Sequence, residues 1–145
     1  MGRDYFRFVI GGGRNFLNYK LLCDVLDDAI KKLYRERPQG YHTEIIIVSG
    51  GARGTDTLAK MYAEERGYAF KLHKALWDRQ GKKAGALRNL EMVKDGDFAY
   101  FFWDGRSPGT KHAIECAKKH LTDEYELNGE TVKVRRYRVV LYDNE

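Results

Sequence analysis

Three short stretches hold the residue types that could do chemistry. They are GGGRN (11–15), SGGARGTD (49–56) and WDGRSPGT (103–110). Each sets glycines beside hydroxyl, arginine or aspartate side chains. Glycine lets the main chain approach a ligand closely, and the N–H groups at a helix start attract negative charge. Thr55 and Thr110 add hydroxyl donors, and Ser49 and Ser107 stand where they can bond ligand or backbone. Arg14 and Arg53 suit a bidentate grip on phosphate oxygens. Asp56 and Asp104 would repel phosphate, so they fit ribose hydroxyls, an amino group or a helix cap. The chemistry indicated is the binding of a phosphorylated small molecule. The competing reading of each corner is a glycine turn that only connects elements.

A fourth stretch, WDRQGKKAGALRNLEM (77–92), sets Arg79, Lys82, Lys83 and Arg88 around two glycines. It reads as a flexible basic loop that leads into a helix and folds over a phosphorylated ligand. Trp77 is placed to stack a base. The alternatives are a solvated basic face and a core tryptophan.

Several familiar templates fail. GGGRNF has Phe16 where G-x-G-x-x-G needs its third glycine, and no G-x-x-x-x-G-K-[ST] exists. Ser49 lacks a nucleophile elbow, because position 47 is Ile. His112, Cys116 and His120 recur at intervals of four, and two neighbours could share zinc. All three could not, since the ends lie about 12 Å apart along a helix. Chance placement on a partly buried face is the preferred reading, so no metal and no cofactor are expected. His42 and His73 have no partners in sequence.

The elements that must position these residues alternate. Strands are expected at Tyr5–Ile10, Glu44–Val48, Tyr68–Leu72 and Phe98–Trp103, with a last one at Arg138–Tyr142. Helices are expected at about Leu17–Tyr34, Thr57–Arg66, Lys82–Lys94 and Pro108–His120. Asn15 or Asn18 caps the first, Gly67 ends the second, and Leu87, Leu90 and Val93 face inward on the third. Asn128-Gly129 between alternating segments signals a hairpin. This order implies an α/β, Rossmann-like three-layer fold with a mostly parallel sheet plus a C-terminal β-hairpin. All three glycine corners then emerge at one sheet edge, where such folds bind ligands.

The 145 residues fit one domain, with a core over about 5–120 and the hairpin and last strand over 121–145. Hydrophobic residues make up 43% of the chain, enough for a real core. The net charge of +5 suits an anionic partner or an ordinary soluble surface. Two cysteines, Cys23 and Cys116, cannot build a disulfide framework, so a reducing, cytoplasmic setting is expected. No signal peptide and no run near the roughly 20 apolar residues of a membrane span is read. Lys133, Arg135, Arg136 and Arg138 lie near tyrosines, a pattern that suits single-stranded nucleic acid or a charged strand edge.

The stretches I-GGGRNF, VSGGARGTDTLA, W-DRQGKKAGALRN-x-x-M and FFWDGRSPGTKHAIECA, in this order, resemble the SLOG superfamily. That group includes the DprA/Smf and LOG proteins, and the likeness is greatest to its YspA-like, YpsA-related branch. The resemblance covers roughly residues 5–118 and implies a domain that binds nucleotides or nucleotide-derived ligands, as a sensor or processor. It implies a main phosphate corner of Gly50, Gly51, Gly54, Thr55 and Asp56, and a second of Gly109 and Thr110. Arg88 and Asn89 match the family's arginine-containing helix start, and Gly12 belongs to the first corner. Homodimers are common in the family, although the sequence marks no interface.

LOG enzymes cleave an N-glycosidic bond with an arginine and a glutamate three residues after a P-G-G-x-G-T threonine. Here Ala113 stands three residues after Thr110, and Glu115 lies about 200° further round a helix. Arg88 would keep the arginine role, and Asp56 or Asp104 would have to replace the acid. The expectation is therefore a binder of an ADP-ribose-like or NAD-like nucleotide. The alternatives are a LOG-type nucleotide N-glycosidase and a single-strand nucleic-acid binder.

Overall fold

In the computed structural model of the chain, residues 3–51 and 53–143 are described, Arg3 and Trp77 by their backbone alone. Five strands form a parallel sheet: β1 (Arg3–Gly12), β2 (His42–Ser49), β3 (Ala69–Leu72), β4 (Phe98–Trp103) and β7 (Tyr137–Leu141). Their order is β3-β2-β1-β4-β7. The chain winds outward from β1 to β3, then crosses back to β4, so the order reverses between β1 and β4. A crevice opens at such a reversal.

Alternation along the strands divides the core. Phe8, Ile10, Ile45, Ile47, Tyr100 and Phe102 face one side, where they meet helices α1 (Tyr19–Glu36) and α2 (Thr55–Arg66). Leu22, Leu26 and Ile30 recur every four residues along α1 and are buried there. Val9, Val48, Ala99 and Phe101 face the other side, against α4 (Ala84–Lys94) and α5 (Pro108–His120). Each fully buried Phe, Ile or Leu contributes about 1.5–3 kcal/mol by leaving water. The β-branched run in β2 is buried on both faces, as suits an inner strand of a parallel sheet.

Element ends differ from expectation where a side chain or a distant partner decides them. Asn18 caps α1 through Leu21 N–H at 3.0 Å, so the helix starts at Tyr19 rather than Leu17. α2 starts two residues early, at Thr55, because Thr55 N–H bonds Gly13 O across the sheet edge. The basic segment is not an open loop. It forms a short helix α3 (Trp77–Gln80), a 3-10 turn at Gly81–Lys83, and then α4. On α4 the buried residues are Ala84, Asn89, Met92 and Val93, whereas Leu87 and Leu90 are half-buried.

Strands β5 (Thr122–Leu127) and β6 (Glu130–Arg135) pair antiparallel as a separate hairpin around Asn128-Gly129. Tyr125 opposes Val132, and these two with Leu127 and Val134 form one exposed apolar face. The basic tail is partly spent. Arg136 grips Asp123 and donates to Asp97 O, and Lys133 lies 3.9 Å from Glu124. Among the described residues, no helix is long and apolar enough to cross a membrane.

Candidate functional site

The first corner is held from two sides. Gly13 N–H donates to Phe102 O at 3.0 Å, which fastens the loop to β4. Gly13 O accepts from Phe16 N–H, Thr55 N–H and Thr55 Oγ1, which fastens it to the start of α2. Thr55 is fully buried, so its hydroxyl serves this joint. A Cβ on Gly12 would come within 2.5 Å of Phe102 O and Thr55 Oγ1, so only glycine fits between the strands' ends. Phe16 stacks on Phe102 at 4.8 Å between centroids, which explains an aromatic at the place of a third glycine.

The second and third corners are joined by α4. Arg88 Nη1 donates to Gly50 O at 2.8 Å, and Arg88 Nε donates to Asn89 Oδ1 at 3.2 Å. Asn89 Nδ2 donates onward to Gly109 O at 3.2 Å and lies 3.3 Å from His112 Nδ1. Ser49 Oγ donates to the buried Asp56 carboxylate at 2.7 Å. Asp104 Oδ1 accepts from Arg106 N–H and Ser107 N–H, both at 2.8 Å. The Ser107 and Arg106 N–H groups hold its carboxyl below the usual range.

These joints enclose a cavity of about 390 Å³ at the β1/β4 reversal. Its floor is Gly11, Gly12 and Gly13, with Arg14 and Asn15 beside them. One wall is Arg88, Asn89 and Met92 from α4, and another is Asp104 with the α5 start, Ser107, Pro108, Gly109, Thr110 and Ala113. Asp56 and Tyr142 complete it. The three helix starts are not equivalent. α1 is capped by Asn18, and α2 uses Thr55 N–H on Gly13. α5 has no side-chain cap and faces the cavity through Gly109 and Thr110, whose first-turn N–H groups a helix leaves without internal partners.

Nine of the residues singled out in the sequence therefore meet at one cavity: Gly12, Arg14, Asp56, Arg88, Asn89, Asp104, Ser107, Gly109 and Thr110. Ser49, Gly50, Gly51, Arg53, Gly54 and Thr55 stand outside its lining. Ser49 and Gly50 touch residues that line it, Thr55 and Gly54 press on the first loop, and Arg53 is exposed. The Trp77 side chain lies outside the described residues. The spacing arguments did not single out Asn15, Met92 or Tyr142 as site residues, and they named Ala113 only as the position of a missing acid. The first two belong to stretches already marked by their glycines and basic residues. Tyr142 carries no local signal.

At position 113 the cavity meets an alanine methyl, and Glu115 is exposed on α5. Cys116 Sγ lies 3.8 Å from His112 Nε2, and no group of three or more metal-ligating side chains occurs among the described residues.

A doubly wound parallel sheet with its cavity at the strand reversal defines a Rossmann-like α/β fold. The chain belongs to the YspA, cpYpsA-related SLOG family (YAcAr), whose model matches residues 6–80. It is 40% identical over 119 residues to the Gene 61 protein of Mycobacterium phage D29, covering 78% of this chain and 89% of that protein. No solved structure matches it.

Proposed function

We propose that the protein binds a nucleotide or nucleotide-derived ligand of the ADP-ribose or NAD kind in the β1/β4 cavity. The observation that carries this reading is the uncapped start of α5 opening on a glycine floor, with Arg14 and Arg88 on the same cavity. Helix-start N–H groups and guanidinium groups favour phosphate. Asp56 and Asp104 suit the sugar or an amino group rather than phosphate. The role is binding or sensing. A LOG-type glycosidase would need a carboxylate where Ala113 stands, so hydrolysis is the weaker reading.

Gly109 offers a direct test. A Cβ there meets nothing within 4 Å, so a larger side chain enters the cavity without disturbing the fold. Calorimetric titration of the wild type with ADP-ribose, NAD and the common nucleoside diphosphates should reveal a binder. Gly109→Val should weaken it at least tenfold with an unchanged circular dichroism spectrum. Equal affinity in the two proteins would move the site elsewhere. Release of free base from a nucleoside monophosphate, abolished by Arg88→Ala, would restore the hydrolase reading.

A further inference from the structure

The β5–β6 hairpin is an arm with two unlike faces. One face is satisfied within the arm: Lys133 lies 3.9 Å from Glu124, and Thr131 Oγ1 donates to Glu126 at 2.9 Å. The other is apolar, with Tyr125 57% and Leu127 60% exposed beside Val132 and Val134. A lone two-stranded ribbon is marginal in water, and a cluster of exposed apolar side chains marks a contact surface. The arm therefore needs something to pack on.

The same chain carries a fitting groove. It runs between α1 and β7, the edge strand of the main sheet, with a volume of about 710 Å³. Phe6, Phe98 and Tyr100 form its floor. Val25, Ala29 and Leu33 recur every four residues as its α1 wall, and all three are only half-buried. This is a second apolar stripe on α1, beside the buried one of Leu22, Leu26 and Ile30. The chain's own arm does not fill the groove. Among the described residues Arg135, at the base of β6, is the one hairpin residue on it, and the tip of a six-residue ribbon stands about 16–20 Å further out.

Charge points to a second copy as the occupant. The arm's tip carries Glu126 and Glu130, both exposed. The strand side of the groove carries Arg135 and Arg138, which form no ion pair among the described residues. The α1 rim is mixed, with Asp28, Lys32 and Glu36, so an acidic tip fits the strand side. We propose that two copies of this chain exchange arms about a two-fold axis. Each apolar hairpin face lies in the other copy's groove, with its acidic tip beside Arg135 and Arg138. Arm and groove occur once on each copy, so the contact closes at two chains.

The test is the mass in solution, by sedimentation equilibrium at tens of micromolar. The wild type should have twice the chain mass of 16.8 kDa. Glu126→Lys with Glu130→Lys reverses the tip, and Arg135→Glu with Arg138→Glu reverses the groove. Each double variant should dimerise at least about tenfold more weakly, because like charges then face each other. Mixed in equal amounts, the two should form a dimer again, since lysine tips meet glutamate grooves and glutamate tips meet arginine grooves. Leu127→Ser should also shift the mass toward the monomer. All four positions of the double variants are exposed or on the groove rim, and circular dichroism checks that each variant is folded. A monomeric wild type would overturn the proposal. So would reversal variants or a Leu127→Ser protein that dimerise as tightly as wild type, or a mixture that stays monomeric.

Discussion

Gly54 and Gly67 adopt almost the same positive φ, 69° and 72°, under different constraints. Gly67 is the left-handed cap of α2, and a Cβ there meets nothing within 4 Å. Gly54 lies against the first loop, and its Cβ would run into Arg14 O, come within 2.5 Å of Arg14 C and within 2.6 Å of Gly13 O. Gly67→Ala should therefore cost only the left-handed penalty, about 1–2 kcal/mol. Gly54→Ala must also displace main chain on another element, so about 2–4 kcal/mol is expected, measured by urea denaturation. The sequence marked both residues, but as different things: Gly67 as a helix cap and Gly54 as part of a phosphate corner. The cap was legible because its cause is local. The pressure of Gly54 on Gly13 and Arg14 spans some forty residues of chain, and no spacing rule encodes it. Tyr142 is the stronger case, since its part in the cavity depends on β7 pairing with β4.

Elements were legible where hydrophobic period and end signals agreed. β4 and α5 span the expected residues, the first a solid apolar run and the second opened by Pro108 at its first position. α3 and the 3-10 turn were hidden because Gly81 and two lysines read as a loop, and their order depends on the neighbouring α4. Asp95, just past α4, shows how elements are held at the other end of the cavity-forming layer. It accepts from Lys71 of β3 at 2.6 Å and from His73 at 2.8 Å, with Arg7 of β1 at 3.8 Å. Burial pushes the Asp95 carboxyl up, but the hydrogen bonds from Lys71 and His73 outweigh it and hold the group below the usual carboxylate range. A folded-state value below the unfolded one stabilises at neutral pH. That contribution fades as acid carries the solution below about pH 4 and through the folded-state value. Asp95→Asn should lose about 1–2 kcal/mol at pH 7 and show a flatter fall in urea midpoint between pH 5 and roughly pH 2. A wild-type acid profile identical in slope to the variant's would remove Asp95 from this role.

At the scale of the whole molecule, the cavity is a junction. Its residues come from the first loop, α2, α4, the β4–α5 turn and the end of β7, and the Arg88–Asn89 relay already links two of the corners without a ligand. The α/β order and the gathering of glycine corners at one edge were readable from alternation alone. Which helix starts line the cavity was not, because the Thr55–Gly13 bond that ties α2 to the first loop and the packing of α5 beside it are three-dimensional contacts. A ligand that bridges such a junction binds the native state and not the unfolded chain. At a concentration one hundred times its Kd it should add about 2.7 kcal/mol. For a chain of this length that corresponds to a rise in Tm of roughly 8–12 °C. At the same ligand concentration Gly109→Val, binding at least tenfold more weakly, should gain at least about 1.4 kcal/mol less than the wild type, because its side chain occupies the cavity and leaves the packing alone. A ligand-dependent rise of equal size in that variant would mean that the nucleotide stabilises some other surface, and the junction would then be a structural hub alone.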